Sequence, residues 1–244
     1  MNSRRVYRDW VGGDGLVSYT VTVGSTDLQV STSTDLSRLA LDAAARARRD
    51  VESYLQIQPR FATSLEPVDV SVQAPAIVRV MADAARLAGV GPMAAVAGAI
   101  AEAVGRELLQ HSDEVMVENG GDVFIATKRA RTVGLYAGAS LLTGRIGIAI
   151  EPSDTPLGVC TSSGTFGHSL SFGRADACVV LARSAALADA VATALANLIR
   201  STADLSATGL WSRVPEEVTG VFTTIESQVA VWHDIRLVPL KTSK

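Results

Sequence analysis

Apolar and polar residues alternate over residues 17–23, Gly24-Ser25 interrupts, and the alternation resumes over 26–31. Period-two patterning on both sides of a glycine turn predicts an opening β-hairpin. Between 36 and 56 the period changes: Leu39, Ala43, Ala47, Val51, Tyr54 and Leu55 recur at helical spacing, with Asp35 placed to cap the start and Pro59 beyond the end. Two further helices are predicted over 76–87 and 93–109, separated by the break Gly89-Val90-Gly91-Pro92. Strands follow near 115–117, 123–127, 132–137, 146–150 and 177–182. An alanine-rich helix is predicted over 185–200, then closing strands near 220–225 and 229–238. Strand pairs followed by helices occur in both halves, so the expected class is α+β, with one domain over 1–244 whose halves, roughly 1–110 and 111–244, pack closely.

Composition narrows the function classes. A chain of 244 residues that is 48% hydrophobic and 19% charged can bury a substantial core, and a net charge of -3 offers no basic field for nucleic acid. No nucleic-acid partner is expected. The first residues, Met1-Asn2-Ser3-Arg4-Arg5, lead into Asp9, Trp10 and a glycine cluster instead of an apolar secretory region, and no apolar run reaches membrane-spanning length. The expectation is a cytoplasmic protein without a membrane partner, in which Cys160 and Cys178 remain free thiols.

Three segments carry candidate chemistry. The first is Gly158-Val159-Cys160-Thr161-Ser162-Ser163-Gly164-Thr165-Phe166-Gly167-His168-Ser169, which gathers five hydroxyls, three glycines, a thiol and an imidazole between apolar runs. It reads either as a surface turn between strands or as a binding loop whose amides and hydroxyls meet a ligand while His168 moves a proton. The second is Glu118-Asn119-Gly120-Gly121-Asp122. Asn-Gly between apolar strands is a strong hairpin signal, and the same glycines would bare a backbone against which a flat ring or a phosphate could lie. The third is a stripe of Asp189, Thr193 and Asn197, spaced four apart and opposite Leu187, Val191, Leu195 and Leu198. It is either a solvated face or, since its neighbours are alanines, a closely packed one; Asp189 and Thr193 are hard oxygen donors suited to Mg²⁺. Cys160 has no basic neighbour in sequence and reads first as a small packing residue. The alanine-rich helices could bury a homo-oligomer interface as readily as a ligand.

In their order along the chain, these motifs resemble the ApbE superfamily of FAD:protein FMN transferases. The likeness runs roughly from Gly91 to Asn197. It implies an ApbE-like, T-fold-like architecture of two related halves, each with antiparallel strand pairs and helices packed on the sheet. It also implies flavin contacts at Asn119, Gly120, Gly121 and Asp122, with Thr161, Ser162, Ser163 and Gly164 near the pyrophosphate of bound FAD. Mg²⁺ would be held by Asp189 and Thr193, and His168 would transfer the proton. A protein Thr or Ser hydroxyl, or a small acceptor, would receive FMN. Two departures stand out: His168 is followed by Ser169-Leu170-Ser171-Phe172-Gly173 where the family's transferases carry Asp-Pro-x-Thr-Gly, and Ala97-Gly98 replaces a Lys-Gly pair. The resemblance is therefore to a shorter cytoplasmic branch. An alternative function is an accessory binding protein of sulfur (homocysteine) metabolism in which Cys160 matters.

Overall fold

A computed structural model describes residues 15–138, 140–164 and 172–240. Eleven strands are assigned among them: β1 (Val17–Val23), β2 (Thr26–Thr32), β3 (Val115–Asn119), β4 (Asp122–Ala126), β5 (Arg131–Gly134), β6 (Ile146–Ile150), β7 (Leu157–Ser162), β8 (Ala177–Ala182), β9 (Val218–Ile225), β10 (Gln228–His233) and β11 (Leu237–Pro239). The helices are α1 (Ser37–Ile57), α2 (Arg60–Thr63), α3 (Ala76–Ala88), α4 (Val96–Leu108), α5 (Ala185–Leu198) and α6 (Thr208–Trp211).

Eight strands form one antiparallel sheet in the order β1-β2-β3-β4-β7-β8-β9-β10, and β11-β6-β5 form a second. Helices α1, α4 and α5 pack on one face of the large sheet, with α3 packed against them, and Val117, Phe124, Cys160 and Val180 join them in the main core. The small sheet covers the other face through Met116, Ile125, Val159, Leu181, Ile148 and Ile150. Strands near the middle are therefore covered on both sides. This explains why Val-Phe-Ile-Ala in β4 and Ala-Cys-Val-Val-Leu-Ala in β8 are continuous apolar runs, while the edge strand β10 alternates exposed with half-buried positions. The expected α+β class holds, with antiparallel strands and helices packed on the sheet.

Several boundaries differ from the sequence reading. The stretch beginning at Gly158 is not all loop: its first five residues lie in the central strand β7, paired with β4 and β8. Glycine and hydroxyl residues hid a strand whose backbone is satisfied by its neighbours. The final predicted strand is two, because the chain turns after His233, at φ 57°, and leaves the large sheet to join the small one as β11. Ser37 opens α1, and Asp35 assists from two residues earlier by accepting the Ser37 N–H at 2.9 Å. Among the described residues no single helix is long and apolar enough to cross a membrane; α3 and the helical segment from Pro92 to Leu108 meet at 107°.

Candidate active site

The site is built where β3, β4 and β7 present their helix-facing side chains to α4 and α5. Gly120 and Gly121 close the β3–β4 hairpin with φ of 69° and 110°, the left-handed region that glycine enters without strain. Glu118 Oε1 accepts the Gly121 N–H at 2.8 Å and fixes the turn. The hairpin is real, and its outer surface is open, since a Cβ at Gly120 would meet nothing within 4 Å.

Side chains alternate along a strand, so Asn119 and Asp122 point to the same face as Phe124, toward the helices. Asn119 Nδ2 donates to the Ala97 carbonyl at 3.0 Å, tying the end of β3 to the first turn of α4. Asp122 Oδ1 accepts the Thr161 N–H at 3.2 Å, across to β7. On β7 the same face carries Cys160 and Ser162, whereas the Thr161 side chain turns with Val159 toward the small sheet. Ser162 Oγ is buried and has no hydrogen-bond partner among the described residues.

Helix α5 faces this group. Asp189 Oδ2 accepts the Gly98 N–H at 2.9 Å, and the Ala97 amide also bonds its carboxylate. Thr193 is one turn on and half-buried, and its hydroxyl makes no hydrogen bond among the described residues. Two glycines allow the layers to come this close. A Cβ at Gly98 would lie 2.2 Å from the Ala185 carbonyl oxygen, and one at Gly158 would lie 2.3 Å from the Ala185 Cα. The aspartate of the stripe is thus on a packed face. Asn197, at its far end, accepts the Phe172 N–H at 2.8 Å.

Electrostatics set Asp122 and Asp189 apart from the other acids. Burial raises both carboxyls above the ordinary carboxylate range, and Asp189 adds a repulsive field at Asp122. Asp189 is pushed up to about 7, against the lowering effect of the Gly98 and Ala97 amides. Among the described residues neither forms an ion pair. Two neighbouring carboxylates, one buried and one half-buried, with no compensating cation among the described residues disfavour the doubly ionised state. Cys160 sits beside them with its thiol pushed well up by burial and by both aspartates, and it donates to the Ala185 carbonyl at 3.3 Å. Such a thiol is a packing group, not a nucleophile.

Sequence reasoning passed over Glu102, which is the one acid on the buried face of α4. Its Oε2 accepts the Ser184 hydroxyl at 2.9 Å and the Ala185 N–H at 2.7 Å, so it caps α5 from another helix. Arg106 Nη2 holds the other oxygen at 2.7 Å, and its guanidinium lies over the Phe124 ring. A single charge, Glu102, within the Ala/Val/Ile/Gly run 96–105 was the available signal.

The remaining expected residues divide. Gly164 uses its amide on the Ala175 carbonyl at 2.9 Å, and Ser163 Oγ lies 3.4 Å from the same oxygen, so both anchor the strand end. His168 lies outside the described residues. Asn119, Asp122, Ser162 and Asp189 converge on the β3–β4–β7 and α4–α5 boundary. Among the described residues no group of three or more His, Cys, Asp or Glu side chains is arranged to hold a metal. Any cation there would rest on few carboxylates, supplemented by hydroxyl or ligand oxygens.

Comparison with known proteins agrees with this architecture. Residues 8–209 match the family model described as AbpE bacteria. A UPF0280 protein of Methanococcus aeolicus is 46% identical over 162 residues, 65% of this chain and 65% of that protein. Another from Methanospirillum hungatei is 44% identical over 197 residues, covering 80% and 79%. The fold is similar to that of the ApbE protein of Thermotoga maritima (TM-score 0.58, 13% identity, 89% and 96% covered) and of the flavin transferase ApbE from Vibrio cholerae (TM-score 0.57, 13% identity, 89% and 96% covered). From the family match and the shared fold, the chain belongs to the AbpE bacteria family and is ApbE-like.

Proposed function

We propose that the Asp122–Asp189 site binds FAD together with Mg²⁺ and transfers FMN to a Thr or Ser hydroxyl or another acceptor. The observation that carries this reading is the carboxyl pair, Asp122 buried and Asp189 half-buried, close enough to repel and lacking a cation among the described residues. The donor set fits a hard cation: carboxylate oxygens from Asp189 and Asp122, with the hydroxyls of Thr193 and Ser162, which have no partner among the described residues, on the facing elements. Mg²⁺ held by Asp189 and Thr193 would offset negative charge on the phosphates of FAD. The open Gly120-Gly121 backbone would take the flavin ring, flanked by Asn119 and Asp122.

Transfer forms a bond from the acceptor oxygen to the FMN phosphorus and breaks the bond to AMP, which leaves. The acceptor proton passes to a base, the role proposed for His168. Asp189 orients the site through the Gly98 and Ala97 amides, and Glu102 holds α5 in place behind it. The names of the flavin transferases of similar fold support the reading.

The test is AMP release from FAD with Mg²⁺ and a hydroxyl acceptor, followed by chromatography. Wild-type protein should release AMP, and Asp189→Ala should release at least about 100-fold less while melting cooperatively. AMP release by Asp189→Ala at the wild-type rate would remove Asp189 from the reaction. The sulfur-metabolism alternative gains nothing from Cys160, whose thiol is buried and held protonated.

A further inference from the structure

On the opposite face of the large sheet, away from the aspartate pair, lies a cavity of about 550 Å³. It opens between β6 on one side and the ends of β8, β9 and β10 on the other. Its floor is the half-buried Ile235, which lies over the second core, where Ile148, Ile150, Leu157 and Leu181 are buried. The volume is that of a small-molecule pocket, and apolar floors with a few convergent polar groups are what such pockets use.

The rim is charged and unevenly satisfied. Arg236 is fixed by Asp154 at 2.6 Å and by Glu151 at 3.5 Å, and its carbonyl accepts the Ala149 N–H at 2.9 Å. That wall is locked between the two sheets. Arg183, by contrast, has no ion pair or hydrogen bond among the described residues, and Asp234 has none either. His233 joins the rim with its backbone at φ 57°, where a non-glycine residue is strained, and its ring stacks on Trp232 at 3.7 Å between centroids. One cation is neutralised by the protein and the other is left for something else.

We infer that this cavity binds a small amphipathic anion, with its apolar or aromatic body over the Ile235 floor and its carboxylate or phosphate on Arg183. Arg183 supplies a planar donor fork suited to either oxyanion. Asp234 accepts a hydrogen bond from a donor elsewhere on the ligand and repels molecules carrying a second negative charge near it. A bare inorganic anion cannot use the floor and should bind much more weakly.

Titration with the fluorescent aromatic sulfonate 8-anilinonaphthalene-1-sulfonate tests this on the full chain. Wild-type protein should bind it saturably, and Arg183→Ala should weaken binding at least about tenfold. Ser153→Trp, which places a bulky ring at the exposed mouth, should weaken it comparably. Benzoate and phenyl phosphate serve as competitors. Displacement by benzoate assigns a carboxylate ligand and displacement by phenyl phosphate assigns a phosphate ligand. Inorganic phosphate displacing the probe as well as either aromatic anion would overturn the amphipathic reading. Equal probe affinity in wild type, Arg183→Ala and Ser153→Trp, all melting alike, would overturn the site.

Discussion

Gly98 and Asp189 meet across the α4–α5 interface, where the Gly98 N–H donates to Asp189 Oδ2 at 2.9 Å although 91 residues separate them in sequence. The bond exists because Gly98 has no side chain. The space a Cβ would need is filled by the Ala185 carbonyl and the Asp189 Cβ. Gly98→Ala should therefore cost about 1–3 kcal/mol by forcing the helices apart. Urea unfolding measures this directly, and a wild-type midpoint for Gly98→Ala would contradict so close an approach.

Glu102 should matter to stability more than its single charge suggests. It satisfies the Ala185 N–H and the Ser184 hydroxyl at the start of α5, so Glu102→Ala leaves buried donors without a partner. We expect a loss of about 2 kcal/mol, with Glu102→Gln recovering part of it because one acceptor oxygen remains. Equal unfolding midpoints for wild type and Glu102→Ala would exclude the capping role.

The aspartate pair dictates an unusual pH dependence. Both carboxyls have folded-state pKa values above the unfolded value, so the folded protein binds more protons than the unfolded chain between the two. Their contribution is fully present below the ordinary carboxylate range and is lost as pH rises through about 7 for Asp189. Each pH unit of that window is worth at most about 1.4 kcal/mol per carboxyl. Melting curves from pH 5 to 8 should show wild type losing stability relative to Asp189→Asn as pH rises. The same proton linkage means that stabilisation by Mg²⁺ should be larger at pH 8 than at pH 6. Parallel pH profiles for wild type and Asp189→Asn would rule out the shifted carboxyl.

Both thiols should be inert in the folded protein. Cys160 and Cys178 are buried, and burial raises both, Cys178 to about 12. Ellman's reagent should label neither until urea is added. Rapid labelling of native protein, removed by Cys160→Ser, would revive a chemical role for that thiol.

The periodicity of residues 36–56 and the alternation at 17–31 were sufficient to place the first hairpin and helix, because each element is amphipathic and faces solvent on one side. Strand β7 escaped because Gly158, Thr161 and Ser162 read as loop residues; in the fold, Gly158 makes room for Ala185 and Ser162 faces the helix layer. Asp122 and Asp189 were named from motifs, but their mutual field depends on a contact between β4 and α5 that no local pattern encodes. Glu102 is similar: its partners Ser184 and Ala185 lie more than 80 residues away, at separations of 82 and 83. The cavity beside Arg183 arises where two sheets fail to meet, which is a property of tertiary packing alone.

The central claim is that the Asp122–Asp189 site takes a flavin dinucleotide through a divalent cation. Titration of the purified protein with FAD, with and without Mg²⁺, followed by flavin fluorescence, tests it most directly. Micromolar binding that strengthens at least about tenfold with Mg²⁺, and loses that gain in Asp189→Ala, is the predicted result. FAD affinity that is the same with and without Mg²⁺, or unchanged in Asp189→Ala, would contradict it.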